Sequence, residues 1–226
     1  MSSLQSIGVF IAAFFLLIAI DCHSQEVQQG TIPQLIISYA ISKEVSVRSS
    51  LASRQTFNSE KSTSSFEYEL TDWTTLLSLK TGIDYSIQIG YLLRLEGGHQ
   101  VHRSIQRASF ATPLNVGRIA QRLGLDQTLA SNDKPVFRVR YRLGYEGPLN
   151  GMIIDAQEFY LKLNFEGLYK YQSGYGEIEF RAIPFLGYEF AKTSRIELGP
   201  DYRIDNLRIQ RSAKTLWWSI NYYIRI

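Results

Sequence analysis

The sequence predicts an all-β fold, an antiparallel up-and-down transmembrane β-barrel of twelve strands, with ten as the alternative count. Three observations predict it. After residue 25 the chain breaks into alternating polar and apolar segments of about 10 to 13 residues, long enough at a barrel tilt to cross a hydrocarbon core. Short turns and longer polar connections follow one another, as they do when one end of a barrel carries turns and the other carries loops. In five strands one face is aliphatic or aromatic while the other is charged with both signs.

The N-terminus sets the compartment. Residues 7–20, IGVFIAAFFLLIAI, form fourteen uncharged residues followed at once by polar DCHSQ. The run is too short for a comfortable transmembrane helix and has the form of a secretory signal peptide spanning 1–24, although MSSLQS supplies no Lys or Arg. Residues 25–226 are then expected to form a single barrel domain in the cell outer membrane. Cys22 is the sole cysteine and would leave with the signal, so no disulfide is expected. Asp21 argues against lipidation of Cys22, because the residue before a lipidated cysteine is normally small and uncharged. The 226 residues suit one domain, and 14 Tyr, 12 Phe and 3 Trp make it rich in aromatics. A net charge of +3 is too mild to imply nucleic acid.

The strands follow in order. The first, 35–42, turns at Ser42-Lys43-Glu44 into 45–57, and the polar stretch 58–65 leads to 66–79. Lys80-Thr81-Gly82 joins this strand to 83–95, and 96–99 leads into 100–112. Pro113-Leu114-Asn115 turns into 116–128, and 129–135 connects to 136–147. Pro148-Leu149-Asn150-Gly151 precedes 156–168, and 170–175 precedes 176–190. Ala191-Lys192-Thr193 then leads to 194–205, and 206–213 to the last strand, 214–226. These segments number eleven. An even-stranded barrel needs one more upward strand, which is expected at 26–32, EVQQGTI, although that stretch is poor strand material.

Period two assigns the faces. Arg138, Arg140 and Arg142 oppose Phe137, Val139, Tyr141 and Leu143, while Arg118 and Arg122 oppose Ile119, Leu123 and Leu125. Glu158, Lys162 and Glu166 oppose Phe159, Leu161 and Phe165; Glu177, Glu179 and Arg181 oppose Ile178 and Phe180. Arg195, Glu197, Asp201 and Arg203 oppose Ile196, Leu198, Tyr202 and Ile204. In the last strand Leu216, Trp218, Ile220, Tyr222, Ile224 and Ile226 share one face, and Ser219, Asn221 and Arg225 share the other. In a barrel the charged face lines the lumen and the apolar face meets lipid. A secreted, soluble β-sandwich binding module would turn the same charges outward, but its sheets would leave unpaired edges.

One catalytic pattern stands out. His102 and Ser104 share a strand face two residues apart, the spacing with which lipid-modifying outer-membrane hydrolases activate a serine. Those enzymes continue into Asn and Gly, whereas Ile105-Gln106 follows here. Three histidines give no metal set, the glycines of EGGHQ lack a following helix to cradle phosphate, and no cofactor is expected.

The segments RIAQRLGLDQ, FRVRYRLGYEGPLNG, FYLKLNFEGLY, FLGYEF with SRIELGPDYRID, and LWWSINYYIRI resemble the uncharacterised outer-membrane family described as domain of unknown function 2490, found in Bacteroidota and other Gram-negative bacteria. The resemblance covers 103–226 and implies an outer-membrane β-barrel without an established activity. Together these readings predict a structural or narrow, porin-like transport barrel with a charged Arg/Glu lumen. Its expected partners are outer-membrane lipid and the barrel-assembly machinery, for which the terminal strand is the expected signal, although Ile226 departs from the usual terminal Phe or Trp.

Overall fold

The computed structural model describes residues 27–58, 65–130, 134–207 and 212–226. The stretch expected to be a signal peptide, 1–24, and Cys22 lie outside them. Among the described residues there is no helix; the strands are β1 (Gln28–Ala40), β2 (Val45–Asn58), β3 (Ser65–Lys80), β4 (Tyr85–Glu96), β5 (His99–Pro113), β6 (Arg118–Ala130), β7 (Val136–Pro148), β8 (Glu158–Gln172), β9 (Tyr175–Ala191), β10 (Ser194–Asp205) and β11 (Ala213–Arg225). Each pairs with its sequence neighbours, and β1 pairs with β11, so the sheet closes on itself. This closure overturns the sandwich alternative, because a barrel leaves no sheet edge unpaired.

Among the described residues the barrel closes with eleven strands, which does not match the alternative of ten and shows no twelfth. The parity problem is solved by direction. In an up-and-down meander with an odd number of strands the first and last run the same way, and β1 pairs with β11 in parallel, from Gln28 opposite Thr215 to Ser38 opposite Arg225. The barrel is therefore mixed, with one parallel seam among antiparallel pairs. The segment expected to be a separate strand, 26–32, instead supplies the start of β1 from Gln28 onward. Gly30 explains its weak strand signal. A Cβ at Gly30 would lie 2.4 Å from the Trp217 ring, so only glycine lets that indole lie across the seam.

The alternation of short and longer connections does not hold either. Gly97 and Gly98 form a two-residue hairpin loop with φ of 56° and 79°, and Ser173 and Gly174 another with 55° and 89°. Positive φ at both central positions is the signature of the tight type I′ turn, whose twist suits a hairpin. The connection expected at 148–151 runs instead from 149 to 157, the longest between described strands. Loop length therefore does not tell the two ends apart.

Thirteen residues, the length of β1, β6, β7 and β11, extend about 43 Å, which at a tilt of about 40° gives a wall roughly 33 Å high. Eleven strands about 4.8 Å apart at that tilt enclose a backbone cylinder of roughly 11 Å radius. Such a bore is narrow enough for long side chains from opposite walls to meet.

Candidate functional site: the barrel interior

Alternation along each strand, fixed by the ladder register, sends one set of side chains into the bore. Arg122, Arg138, Arg140, Arg142, Lys162, Glu166, Glu179, Arg181, Arg195, Glu197, Asp201 and Arg203 are buried or half-buried there. Arg118, Glu158, Glu177 and Arg225 stand on the same face near the strand ends, where Arg118, Glu177 and Arg225 are about half exposed. Leu216, Trp218, Ile220, Tyr222 and Ile224 point outward from β11, as does Ile226 beyond it, while Trp217, Ser219 and Asn221 are buried inside.

A bar of charge runs along the inner wall at mid-height. The Glu166 carboxylate, whose side chain is 0% exposed, lies 3.2 Å from Arg140, 2.7 Å from Arg142 and 3.5 Å from Arg181. Arg140 also reaches Asp126 at 3.2 Å. Arg181 pairs with Glu179, and Arg203 closes on Asp201 at 2.7 Å. These residues come from β6, β7, β8, β9 and β10, so the bar ties half the wall together. A buried carboxylate is tolerable in such a place only because several guanidinium groups compensate it.

A second cluster stands beside it. Glu197, also 0% exposed, accepts hydrogen bonds from the Tyr160 hydroxyl at 3.0 Å, Lys162 Nζ at 2.8 Å and the Tyr223 hydroxyl at 2.9 Å. Arg195 lies over the Tyr223 ring at 4.5 Å and pairs with Glu146 at 3.4 Å. The fully buried Tyr160 ring fits because position 187 is glycine, where a Cβ would come within 2.1 Å of it.

Two chambers lie on either side of the bar. One, of about 390 Å³, lies toward the end of the barrel where β1 and β11 finish; the other, of about 500 Å³, lies toward the opposite end. Arg140 lines both. In the second space Arg54 pairs with Glu69 at 3.5 Å and stacks on Trp217 at 4.9 Å, and Arg94 grips Asp72 at 2.7 Å. Arg103 and Arg138 both donate to the Thr128 hydroxyl at 2.9 Å.

Several of these residues do not stand out in the sequence. Arg48, Arg54, Asp72 and Arg94 occupy alternate positions between outward Val47, Leu51, Trp73, Leu93 and Leu95, so their signal was present. It was masked by the interior apolar cluster of Leu76, Leu92 and Ile105. Ile105 shares its face with Arg103 and Arg107, which blurred the phase of β5. Glu69 is the extra residue of a bulge opposite Arg54 and Gln55, which a strict period of two does not anticipate.

His102 and Ser104 lie on the outer face of β5, opposite to Arg103 and Ile105 in the bore. The His102 Nδ1 atom is hydrogen-bonded with the Tyr91 hydroxyl. Cross-strand neighbours of the pair are Leu93 and Leu129 for His102, and Tyr91 and Gln127 for Ser104. None is a carboxylate that could orient the imidazole, and among the described hydrogen bonds none joins His102 to Ser104. Among the described residues no three His, Cys, Asp or Glu side chains are grouped to hold a metal ion.

No curated protein and no solved structure matches the chain. The model of a family described as "Protein of unknown function (DUF2490)" matches residues 33–212, a span that begins inside β1, ends just before β11 and contains Asp126, Arg140, Arg142, Glu166 and Arg181. The match covers well over half of the sequence, and the chain belongs to the DUF2490 family.

Proposed function

We propose that this chain is an outer-membrane β-barrel whose bore is a narrow path for charged solutes, lined at mid-height by the Glu166 ion cluster. One observation carries the reading: the molecule is inside out. Its interior holds Glu166, Glu197, Asp201 and Arg203, all buried, while Leu51, Trp73, Leu123, Tyr141, Leu186 and Leu198 stand exposed on the outer wall. Soluble monomers rarely expose a contiguous apolar patch beyond a few hundred Å², because each such area costs free energy in water. In lipid the same wall loses that cost, and a closed ladder has no open sheet edge to expose to hydrocarbon. A wall roughly 33 Å high spans the apolar band of about 25 Å that such barrels present. Bacterial single-chain barrels usually have even counts, but odd counts occur in mitochondrial channels. The parallel ladder of the seam is slightly weaker than an antiparallel one, and Trp217 packing on Gly30 reinforces it.

The bore determines what kind of barrel this is. A bore of roughly 11 Å backbone radius, lined by long paired charged side chains, suits small charged solutes better than general diffusion, because charged groups at a narrow point select and gate them. Membrane fractionation with heat-modifiable gel migration tests the location. Recovery in the outer-membrane fraction with a compact unboiled band is expected, and a chain that stays soluble without detergent refutes the reading. In planar bilayers the expected conductance is small and intermittent rather than large and steady.

A further inference from the structure

We infer that the 390 Å³ chamber is a binding site for a small oxyanion carrying two or more negative charges, held by Arg107 and Arg122 with Arg48 facing them. The inference rests on the barrel reading above, since it requires a bore that meets water only at its ends. Eight of the side chains lining this chamber are Arg or Lys, and three are Asp or Glu. All three carboxylates are already engaged: Asp126 by Arg140, Glu146 by Arg118 and Arg195, and Glu166 by its three guanidinium partners. Among the described residues no carboxylate lies within ion-pair distance of Arg48, Arg107 or Arg122. Arg48 donates only to the Ser38 hydroxyl at 3.3 Å and Arg122 only to that of Ser109 at 3.3 Å.

The wall itself concentrates the excess. Arg122 sits directly opposite Arg142 in the β6–β7 ladder, and Arg107 and Arg140 flank Gly124 on its two sides. Like charges in register repel one another, so this arrangement destabilises the empty barrel unless an anion enters. The Nε atoms of Arg140 and Arg195 are buried in the same lining without a hydrogen-bond acceptor. Guanidinium forks suit phosphate and carboxylate oxygens, which accept two parallel hydrogen bonds. The chamber volume is at the small end of ligand pockets, which excludes large solutes.

The test is calorimetric titration of the detergent-folded full chain with inorganic pyrophosphate and, separately, with citrate, in a chloride background. Saturable binding at one site is expected, weakening as salt rises. Arg107→Gln with Arg122→Gln should lower affinity at least about tenfold, the effect of losing one charge-assisted hydrogen bond. Arg138→Gln, on the other side of the bar, should leave it unchanged. The stronger of the two ligands distinguishes a phosphate from a carboxylate as the natural headgroup. Binding that survives the double substitution, or that Arg138→Gln reduces equally, overturns the inference. Should the double variant fail to fold, Arg107→Lys with Arg122→Lys keeps the charge and must still weaken binding by loss of the forks; unchanged affinity there is also contrary. A chain that shows heat-modifiable migration yet binds neither anion refutes this inference alone. A chain without that migration refutes the barrel reading beneath it.

Discussion

Glu166→Gln is the perturbation whose outcome the interior geometry fixes most closely. The wild-type carboxylate compensates Arg140, Arg142 and Arg181 at 3.2, 2.7 and 3.5 Å, with its own side chain fully buried. Glutamine keeps the shape and one acceptor but removes the charge, which leaves Arg142 without an ion-pair partner among the described residues and Arg140 with Asp126 alone. Removing one partner from a buried ion cluster costs about 3–5 kcal/mol, because the remaining charges stay desolvated. Glu177→Gln is the control. Its pair with Lys170 at 3.0 Å has side chains 46% and 32% exposed, so its loss should cost below about 1 kcal/mol. Urea unfolding of the detergent-folded barrel, followed by tryptophan fluorescence, reads both. Adding Arg142→Gln to Glu166→Gln should recover part of the loss by removing an uncompensated guanidinium. A Glu166→Gln barrel no less stable than the Glu177→Gln control would refute the argument that the bar is held by compensation.

Other consequences are open to measurement. Tyr160→Phe deletes one hydrogen bond to Glu197 while Lys162 and Tyr223 keep theirs, so a loss of about 1.5 kcal/mol in the same unfolding assay is expected. Gly187→Ala places a Cβ against the Tyr160 ring and should cost about 1–3 kcal/mol by overpacking; a neutral result would mean the ring has room to move. Leu123→Arg puts a charge on the outer wall between Ala108 and Tyr141; in lipid it should cost about 2–4 kcal/mol near the midplane, whereas a water-facing wall would tolerate it. Ser104→Ala should leave fatty-acid release from phospholipid vesicles unchanged, and a drop in release would revive hydrolase chemistry at His102.

The strands from β7 onward were legible because Arg138, Arg140 and Arg142 alternate strictly with Phe137, Val139, Tyr141 and Leu143, a pattern that only a half-polar strand produces. The seam was not legible. Alternation encodes which face a residue takes but not which way the neighbouring strand runs, so eleven alternating segments do not by themselves reveal a parallel seam. Gly30 weakened β1 as a strand for a tertiary reason, the ring of Trp217, that lies far away in sequence. The hairpins at Gly97-Gly98 and Ser173-Gly174 look longer in the sequence because their polar neighbours belong to the strands, not to the loops. The polar face of the later strands was visible, but the ion partners were not, since Glu166 finds Arg140 and Arg181 only through the register of β7, β8 and β9.

The central claim, that the apolar wall faces lipid and the charged face the bore, is tested most directly by the three tryptophans. Trp73 and Trp218 stand on the outer wall, 57% and 39% exposed, while Trp217 is inside at 2%. Single-tryptophan variants reconstituted into vesicles of brominated phospholipid should show strong quenching at Trp73 and Trp218 and weak quenching at Trp217. Equal quenching of all three, or outer tryptophans reached by aqueous iodide but not by brominated acyl chains, would contradict the account.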